Sequence, residues 1–457
     1  MATTPIELPS TTSTLPTRQK PIPYTCANGR RTPLSSILPP LVFGTATFNH
    51  QYNSDPFALD TTGLVTSALT HGIRAFDTSP YYGPSEQLLG DALATPFVRE
   101  TFPRNSYMIL TKVGRIASGE FDYSKEWVRD SVNRSLERLH MEYLDLVYCH
   151  DVEFVSPAEV LEAVKELRRL RDEGIIRYIG ISGYPLDVLG DMAELILRET
   201  GEPLDAVQSY ANFTLQNQTL AGPRGILRLK NAGVDVVPNA SILGMGLLRR
   251  EGVPVGALGD FHPAHSSLRE AVRKASDFCD DYGERIEVIA IRFALETWIS
   301  SGALCGSRGD PASGVAWKHE SIEDVGGSKL GVSVIGVSRA SELEKTMLVW
   351  RSILDGLEGG KETAVQAGRW YRAWEWSINR KRAVQILAEG VQEVLGDGFG
   401  YAWASPDPGF VNKRKKDATK ATQRDAPAAW LTPAASPEAA PVKDMSEVAE
   451  EKSLPLR

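Results

Sequence analysis

The sequence predicts an α/β fold, a closed (β/α)8 TIM barrel, on three observations. Eight short β-branched apolar runs recur through the middle of the chain, each followed by a helical stretch that ends near Gly. The runs are continuously apolar, as parallel strands covered on both faces are, and the stretches between them are amphipathic. No GxGxxG follows the first run, which counts against an open dinucleotide-binding sheet.

The first four runs are Leu41 to Gly44, Ile73 to Asp77, Tyr107 to Val113 and Leu144 to His150. The other four are Arg177 to Ser182, Leu204 to Ser209, Val234 to Asn239 and Val332 to Ser338. Between the third and fourth, Trp127, Val128, Val132, Leu136 and Leu139 return to one face every three or four residues, with Ser124 as the cap. After the fourth, Ser156 caps, Pro157 takes the first helical position, Glu159 completes a capping box and Gly174 ends the helix. Two stretches fall outside the eightfold pattern. Residues 306–331 form a polar, Gly-rich insertion. Residues 364–393 read as an extra C-terminal helix whose Trp370, Tyr371, Trp374 and Trp376 are expected to pack on the barrel.

The barrel is expected over residues 37–404, with disordered tails at 1–36 and 405–457, because both flanks are rich in Pro and small residues and poor in large apolar ones. A net charge of −8, with the basic residues spread out, argues against nucleic acid or an anionic membrane as partner. No apolar run is long enough to span a bilayer, and the N-terminus has no secretory h-region. Four scattered cysteines, Cys26, Cys149, Cys279 and Cys305, without a CxxC pair, suit a reducing cytoplasmic setting. No metal site is expected.

Catalytic groups of such barrels sit at the C-terminal ends of the strands. Those positions hold Asp77, Lys112 and His150, with Tyr82 in the turn after Asp77. Singly, each has a bland reading as a capping, surface or core residue. Together, ionisable groups at the ends of three consecutive apolar strands would be costly to bury unless they satisfied one another. The chemistry they suit is hydride transfer coupled to proton transfer. Tyr82 is the acid/base, its phenol expected to be lowered by the Lys112 ammonium. Asp77 holds Lys112, and His150 orients the substrate oxygen.

The runs GIRAFDTSPYYGPSE, ILTKVG, LDLVYCHD and IGISGYP resemble, in order, the aldo-keto reductase superfamily across about residues 38 to 355. The stretches FGTATFNHQYNSDP and ISGYPLDVL are similar to a narrower group, the fungal NAD-dependent D-arabinose 1-dehydrogenases and plant L-galactose dehydrogenases. The resemblance implies Asp77, Tyr82, Lys112 and His150 as the catalytic tetrad. It implies that Ser182 and Gln208 hold a nicotinamide carboxamide, although Gly183 replaces the family's Asn. Ser241 is kept in the segment ASILGMGLL, where Ala240 stands for the family's stacking aromatic.

The adenosine end should meet the loop VIGVSRASELEKT, through Gly336, Ser338, Arg339, Glu342 and Thr346. Members that take NADP carry cations where this chain has Gly336 and Glu342. The expected cofactor is therefore NAD, with NADP possible because Arg339 is close by. The implied reaction is oxidation of the anomeric carbon of an aldose to an aldonolactone. The alternatives are a broad-specificity NADPH-dependent aldehyde reductase and a non-catalytic nucleotide-sensing subunit. The partner expected is a small-molecule sugar or aldehyde. Which one depends on residues 114–124, 211–225, 244–264 and the C-terminal segment.

Overall fold

The computed structural model describes residues 31–254, 259–309, 329–357 and 368–414, with side chains of the last segment described from residue 375. Its strands are β1 (Leu41–Gly44), β2 (Ala75–Asp77), β3 (Met108–Val113), β4 (Arg115–Ala117), β5 (Glu120–Phe121), β6 (Leu144–His150), β7 (Ile176–Gly183), β8 (Ala206–Tyr210), β9 (Asn239–Ala240) and β10 (Ser333–Gly336). Eight of them close a parallel barrel in the order β1-β10-β9-β8-β7-β6-β3-β2, and β4 and β5 form a separate antiparallel hairpin. All eight expected runs therefore lie in the barrel wall. The seventh shrinks to Asn239–Ala240, because Pro238 has no N–H to give to the ladder. The first part of that run still pairs, with Val236 N donating to Asp205 O at 3.0 Å.

Strand parity sorts the core into two layers. Val42, Ala75, Met108, Leu110, Leu146, Tyr148, Tyr178, Ala206 and Val334 pack inside the barrel. Their neighbours Phe43, Phe76, Ile109, Val147, Cys149, Ile179, Ile181, Val207 and Ile335 pack between sheet and helices. Gly180 lets the interior close. A Cβ there would lie 2.6 Å from Tyr148 Cδ1 and 2.6 Å from Ala206 O. The helices start as their caps dictate. Ser124 accepts from Trp127 N ahead of Lys125–Arg138, and the capping box of Ser156 and Glu159 opens Pro157–Asp172. Gly174, at φ 77°, follows that helix.

The expected domain limits move at both ends. Residues 31–36, placed in the N-terminal tail, belong to the barrel. Leu34, Ile37 and Leu38 plug its N-terminal end among the interior side chains, and Arg31 is paired with Asp205 at 2.7 Å. The insertion leaves and returns beside this plug, through a bridge between Ser307 and Leu330. Its residues 310–328 lie outside the described residues, as do residues 1–30 and 415–457.

At the other end, the C-terminal helix spans Gly368–Leu395. Its barrel-facing side chains are Ser377, Val384, Leu387, Ala388, Val391 and Leu395. Of the expected aromatic face, Trp376 is 57% exposed, above Arg292, and the side chains of Trp370, Tyr371 and Trp374 lie outside the described set. Residues 405–414, placed in the C-terminal tail, continue a strap that packs on the barrel, because Phe410 and Asn412 find partners there. Among the described residues no helix is long and apolar enough to cross a membrane. Cys149, Cys279 and Cys305 are buried free thiols.

Candidate active site

The same parity that fills the barrel interior turns polar at the C-terminal ends. After Ala75 the next inward residue is Asp77; after Leu110, Lys112; after Tyr148, His150; after Gly180, Ser182; after Ala206, Gln208. Register brings the last three together, since His150 pairs with Ser182 and Ser182 with Gln208.

Lys112 and Asp77 are both buried, and Lys112 Nζ donates to Asp77 Oδ1 at 2.6 Å and to Thr78 O at 2.9 Å. Burial pushes the Asp77 carboxyl up, against the opposing pull of Lys112. Tyr82 sits on a turn held by Ser79, whose carbonyl accepts from Tyr82 N at 3.0 Å and whose hydroxyl accepts from Tyr81 N at 3.1 Å. The Lys112 ammonium lies 4.8 Å from the centre of the Tyr82 ring, and the His150 ring meets Tyr82 edge-on at 5.7 Å. Ser79 Oγ is 3.1 Å from His150 Nδ1. The four expected residues are thus one cluster. Burial lowers the His150 pKa to about 3, so its imidazole is neutral at physiological pH and presents one donor and one acceptor.

One expectation is corrected. Lys112 faces the ring of Tyr82 and bonds Asp77 and Thr78, and the expected net lowering of the phenol is not found. Burial raises the Tyr82 pKa well above 10, and the charges of Asp77 and Asp151 add to the rise, with Arg115 opposing. Without ligand, Tyr82 is a protonated phenol and a proton donor.

The family model for aldo/keto reductases matches residues 40–355, which contain all eight barrel strands and this cluster. The chain belongs to the aldo/keto reductase family. It is an oxidoreductase of a family that uses nicotinamide cofactors. The D-arabinose 1-dehydrogenase of Saccharomyces cerevisiae is 47% identical over 265 residues, 58% of this chain and 77% of that protein. The L-galactose dehydrogenase of Arabidopsis thaliana is 38% identical over 250 residues, 54% of this chain and 73% of that one. A D-threo-aldose 1-dehydrogenase of a Pseudomonas species is 25% identical over 297 residues, 59% of this chain and 85% of that one.

In this aldo-keto reductase the groups present fit a nicotinamide cofactor. Gln208 Oε1 is buried and has no partner among the described residues, as an acceptor awaiting a carboxamide N–H would be. Ser182 Oγ makes only a long bond, 3.4 Å, to Cys149 O. The inner ends of β9, β10 and β1 are Ala240, Gly336 and Gly44, a side-chain-poor crevice beside Gln208. Ser241 follows Ala240 with a left-handed φ of 54° and leads out of the crevice.

Farther along, Glu342 Oε2 accepts from Ser338 N at 2.9 Å. Asn53 Nδ2 reaches Ser338 Oγ at 3.3 Å, and Arg339 is exposed. The Thr346 hydroxyl donates to Glu342 O at 2.8 Å within the helix Ala340–Leu357. Gly183 is explained by its neighbour, because a Cβ there would collide with Glu153 Oε2.

Sequence reasoning named the loop 114–124 as part of the mouth but missed the side chains that form its far wall. Arg115, on the β4–β5 hairpin, is ion-paired with Asp151 and donates to Tyr81 OH at 3.1 Å. Burial raises the nearby Glu153 carboxyl to about 8, with the Asp151 charge adding to the rise. Glu153 Oε1 accepts from Tyr184 N at 3.1 Å and from Ser405 Oγ at 2.9 Å.

The strap runs over these loops. Trp403 stacks on Tyr184 at 4.6 Å and Phe410 meets Phe154 edge-on at 4.9 Å. Asn412 exchanges two bonds with the Phe121 backbone, at 2.8 and 3.0 Å. One available signal for the mouth was the Asp that follows His150 in LDLVYCHD. The strap offers no such signal, since the partners of Trp403 and Phe410 lie on loops distant in the sequence.

Proposed function

We propose that this enzyme oxidises the anomeric carbon of a free aldose, of D-arabinose or L-galactose type, to the aldonolactone, with NAD as the preferred cofactor. The observation that carries the reading is the cluster of buried Asp77, Lys112 and His150 with half-buried Tyr82 in a chain 47% identical to a D-arabinose 1-dehydrogenase. When bound, the nicotinamide supplies the hydride acceptor. His150, neutral, holds the anomeric oxygen, Tyr82 in its phenolate form takes the hydroxyl proton, and the C–H electrons leave as hydride, so that C1 becomes the lactone carbonyl. Lys112 and Asp77 keep Tyr82 in place and exclude water beneath its ring. Support for NAD over NADP comes from Glu342, whose carboxylate already occupies Ser338 N–H at the start of a helix, where a 2′-phosphate would seek donors.

The raised Tyr82 phenol favours a second reading, reduction of an aldehyde with Tyr82 as proton donor. Absorbance at 340 nm separates the two. NAD and NADP are tested against pentoses and hexoses, and NADH and NADPH against simple aldehydes. Aldose oxidation with NAD exceeding all aldehyde reduction in kcat/KM is the expected result. Aldehyde reduction with NADPH as the fastest reaction would replace the first reading by the second.

A further inference from the structure

Two charged groups beside His150 are left unused by the chemistry at Tyr82. Asp151 is 2% exposed and has φ 58°, the left-handed region that few non-glycine residues occupy. Its Oδ2 takes Arg115 and lies 3.6 Å from His150 Nε2, while its Oδ1 has no partner among the described residues. Burial pushes this carboxyl up, but the Coulombic pull of His150, where it is protonated, and of Arg115 outweighs burial and lowers the pKa below the ordinary carboxylate value. Arg115 is fixed in turn, its guanidinium 3.8 Å from the centre of the Tyr81 ring. Arg115 Nε is buried and has no acceptor among the described residues.

A buried ion pair contributes little net stability, and a strained backbone at one partner adds to its cost. What the pair does offer is an acceptor oxygen, on the carboxylate that lies 3.6 Å from His150 Nε2, and a guanidinium whose side chain is 16% exposed. A hydroxyl needs both, since it donates one bond and accepts another. In an aldose, the hydroxyl on the carbon next to the reacting one lies one hydrogen-bond length from the reacting oxygen.

We propose that Asp151 and Arg115 recognise the C2 hydroxyl of the substrate, so that the unit this enzyme selects is a carbonyl-level carbon bearing an adjacent hydroxyl. The proposal rests on the aldose reading for its preferred substrate.

The test compares kcat/KM for an aldose and its 2-deoxy analogue, because this ratio is independent of the fraction of protein folded. Wild type is expected to favour the parent sugar by about ten- to a hundredfold, the worth of a hydrogen bond to a charged group. Asp151→Gly, which suits the left-handed backbone, is expected to bring the ratio close to one. Asp151→Asn, which keeps an uncharged acceptor, should fall between. A wild-type ratio near one overturns the proposal. So does an Asp151→Gly variant that slows both sugars equally, because Asp151 would then only position His150. If wild type oxidises no aldose, the proposed function fails instead. The ratio is then measured in reduction of 2-hydroxypropanal against propanal. There too, a preference for the hydroxylated substrate that Asp151→Gly abolishes supports the proposal, and a wild-type ratio near one or equal slowing of both substrates overturns it.

Discussion

Tyr82 is where proton transfer and environment meet. Its phenol is pushed up by burial first and by the Asp77 and Asp151 charges next, so the proton-accepting form is scarce at neutral pH. Oxidation of a sugar needs that form, and reduction of an aldehyde needs the protonated one. The expected outcome is that kcat/KM for oxidation climbs with pH through the neutral and alkaline range without levelling off below pH 10, while that for reduction stays flat there. Initial rates at saturating cofactor from pH 6 to 10 check this, and an oxidation profile that plateaus near neutrality would mean that another group accepts the proton. Tyr82→Phe should lose about two or more orders of magnitude in kcat while cofactor binding, followed by fluorescence titration, survives. Tyr81→Phe is the control. It removes one Arg115 bond, at 3.1 Å, and leaves the Tyr82 phenol in place, so its effect should stay within about tenfold.

At the scale of single elements, the loop from β10 into the helix Ala340–Leu357 argues for cofactor choice. Glu342 satisfies Ser338 N–H with its own carboxylate, so NADP must displace an internal anion as well as bind. Glu342→Arg with Gly336→Lys frees that donor and adds two cations. The new Lys Cβ would be 3.0 Å from Thr47 Cγ2, close enough that the threonine methyl must shift slightly. The preference should move from NAD to NADP by about tenfold or more in kcat/KM, chiefly through KM, because the adenosine end is remote from the reacting carbon. Unchanged preference in the double variant would remove Glu342 from the account.

The strap makes a second case. A chain ending at Arg414 keeps every strap contact and is expected to match wild type. One ending at Ala404 loses Ser405, Phe410 and Asn412 from the loops that carry Glu153 and Phe121. Its KM for sugar should rise about tenfold or more, since holding loops in their bound arrangement is part of binding. Equal KM in the two chains would show that the strap is only packing.

These elements also show what was legible. Asp77, Lys112 and His150 could be read because strand parity is local: once a strand is recognised, its inward residues follow. The Arg115–Asp151 pair joins a hairpin to a strand end 36 positions away, and no periodicity reports such a meeting. The strap's Trp403 and Phe410 meet partners that lie on distant loops. Pro238 shortened a strand that apolar content alone extended.

Across the whole molecule, stability and chemistry sit at opposite ends of the barrel. The N-terminal end is closed by Leu34, Ile37 and Leu38 against the interior side chains of the strands. A cluster of ion pairs surrounds that end: Arg31 with Asp205 at 2.7 Å, and Arg104 and Arg177 with the buried Asp145 at 2.7 and 2.9 Å. None of these residues touches Tyr82, and the layer of Leu110, Leu146 and Tyr148 lies between. Leu34 is fully buried, so Leu34→Ala should destabilise the fold by about 2–5 kcal/mol, the range for truncating a large core side chain to alanine. The urea midpoint should fall accordingly, while kcat and KM of the protein still folded at 25 °C stay at wild-type values. The two measurements separate two designs. If the barrel transmits strain along its strands, loss of the plug lowers kcat before the protein melts. If the interior layer isolates the two ends, as its dense packing of large side chains argues, stability falls alone, and the site keeps its geometry until global unfolding removes it.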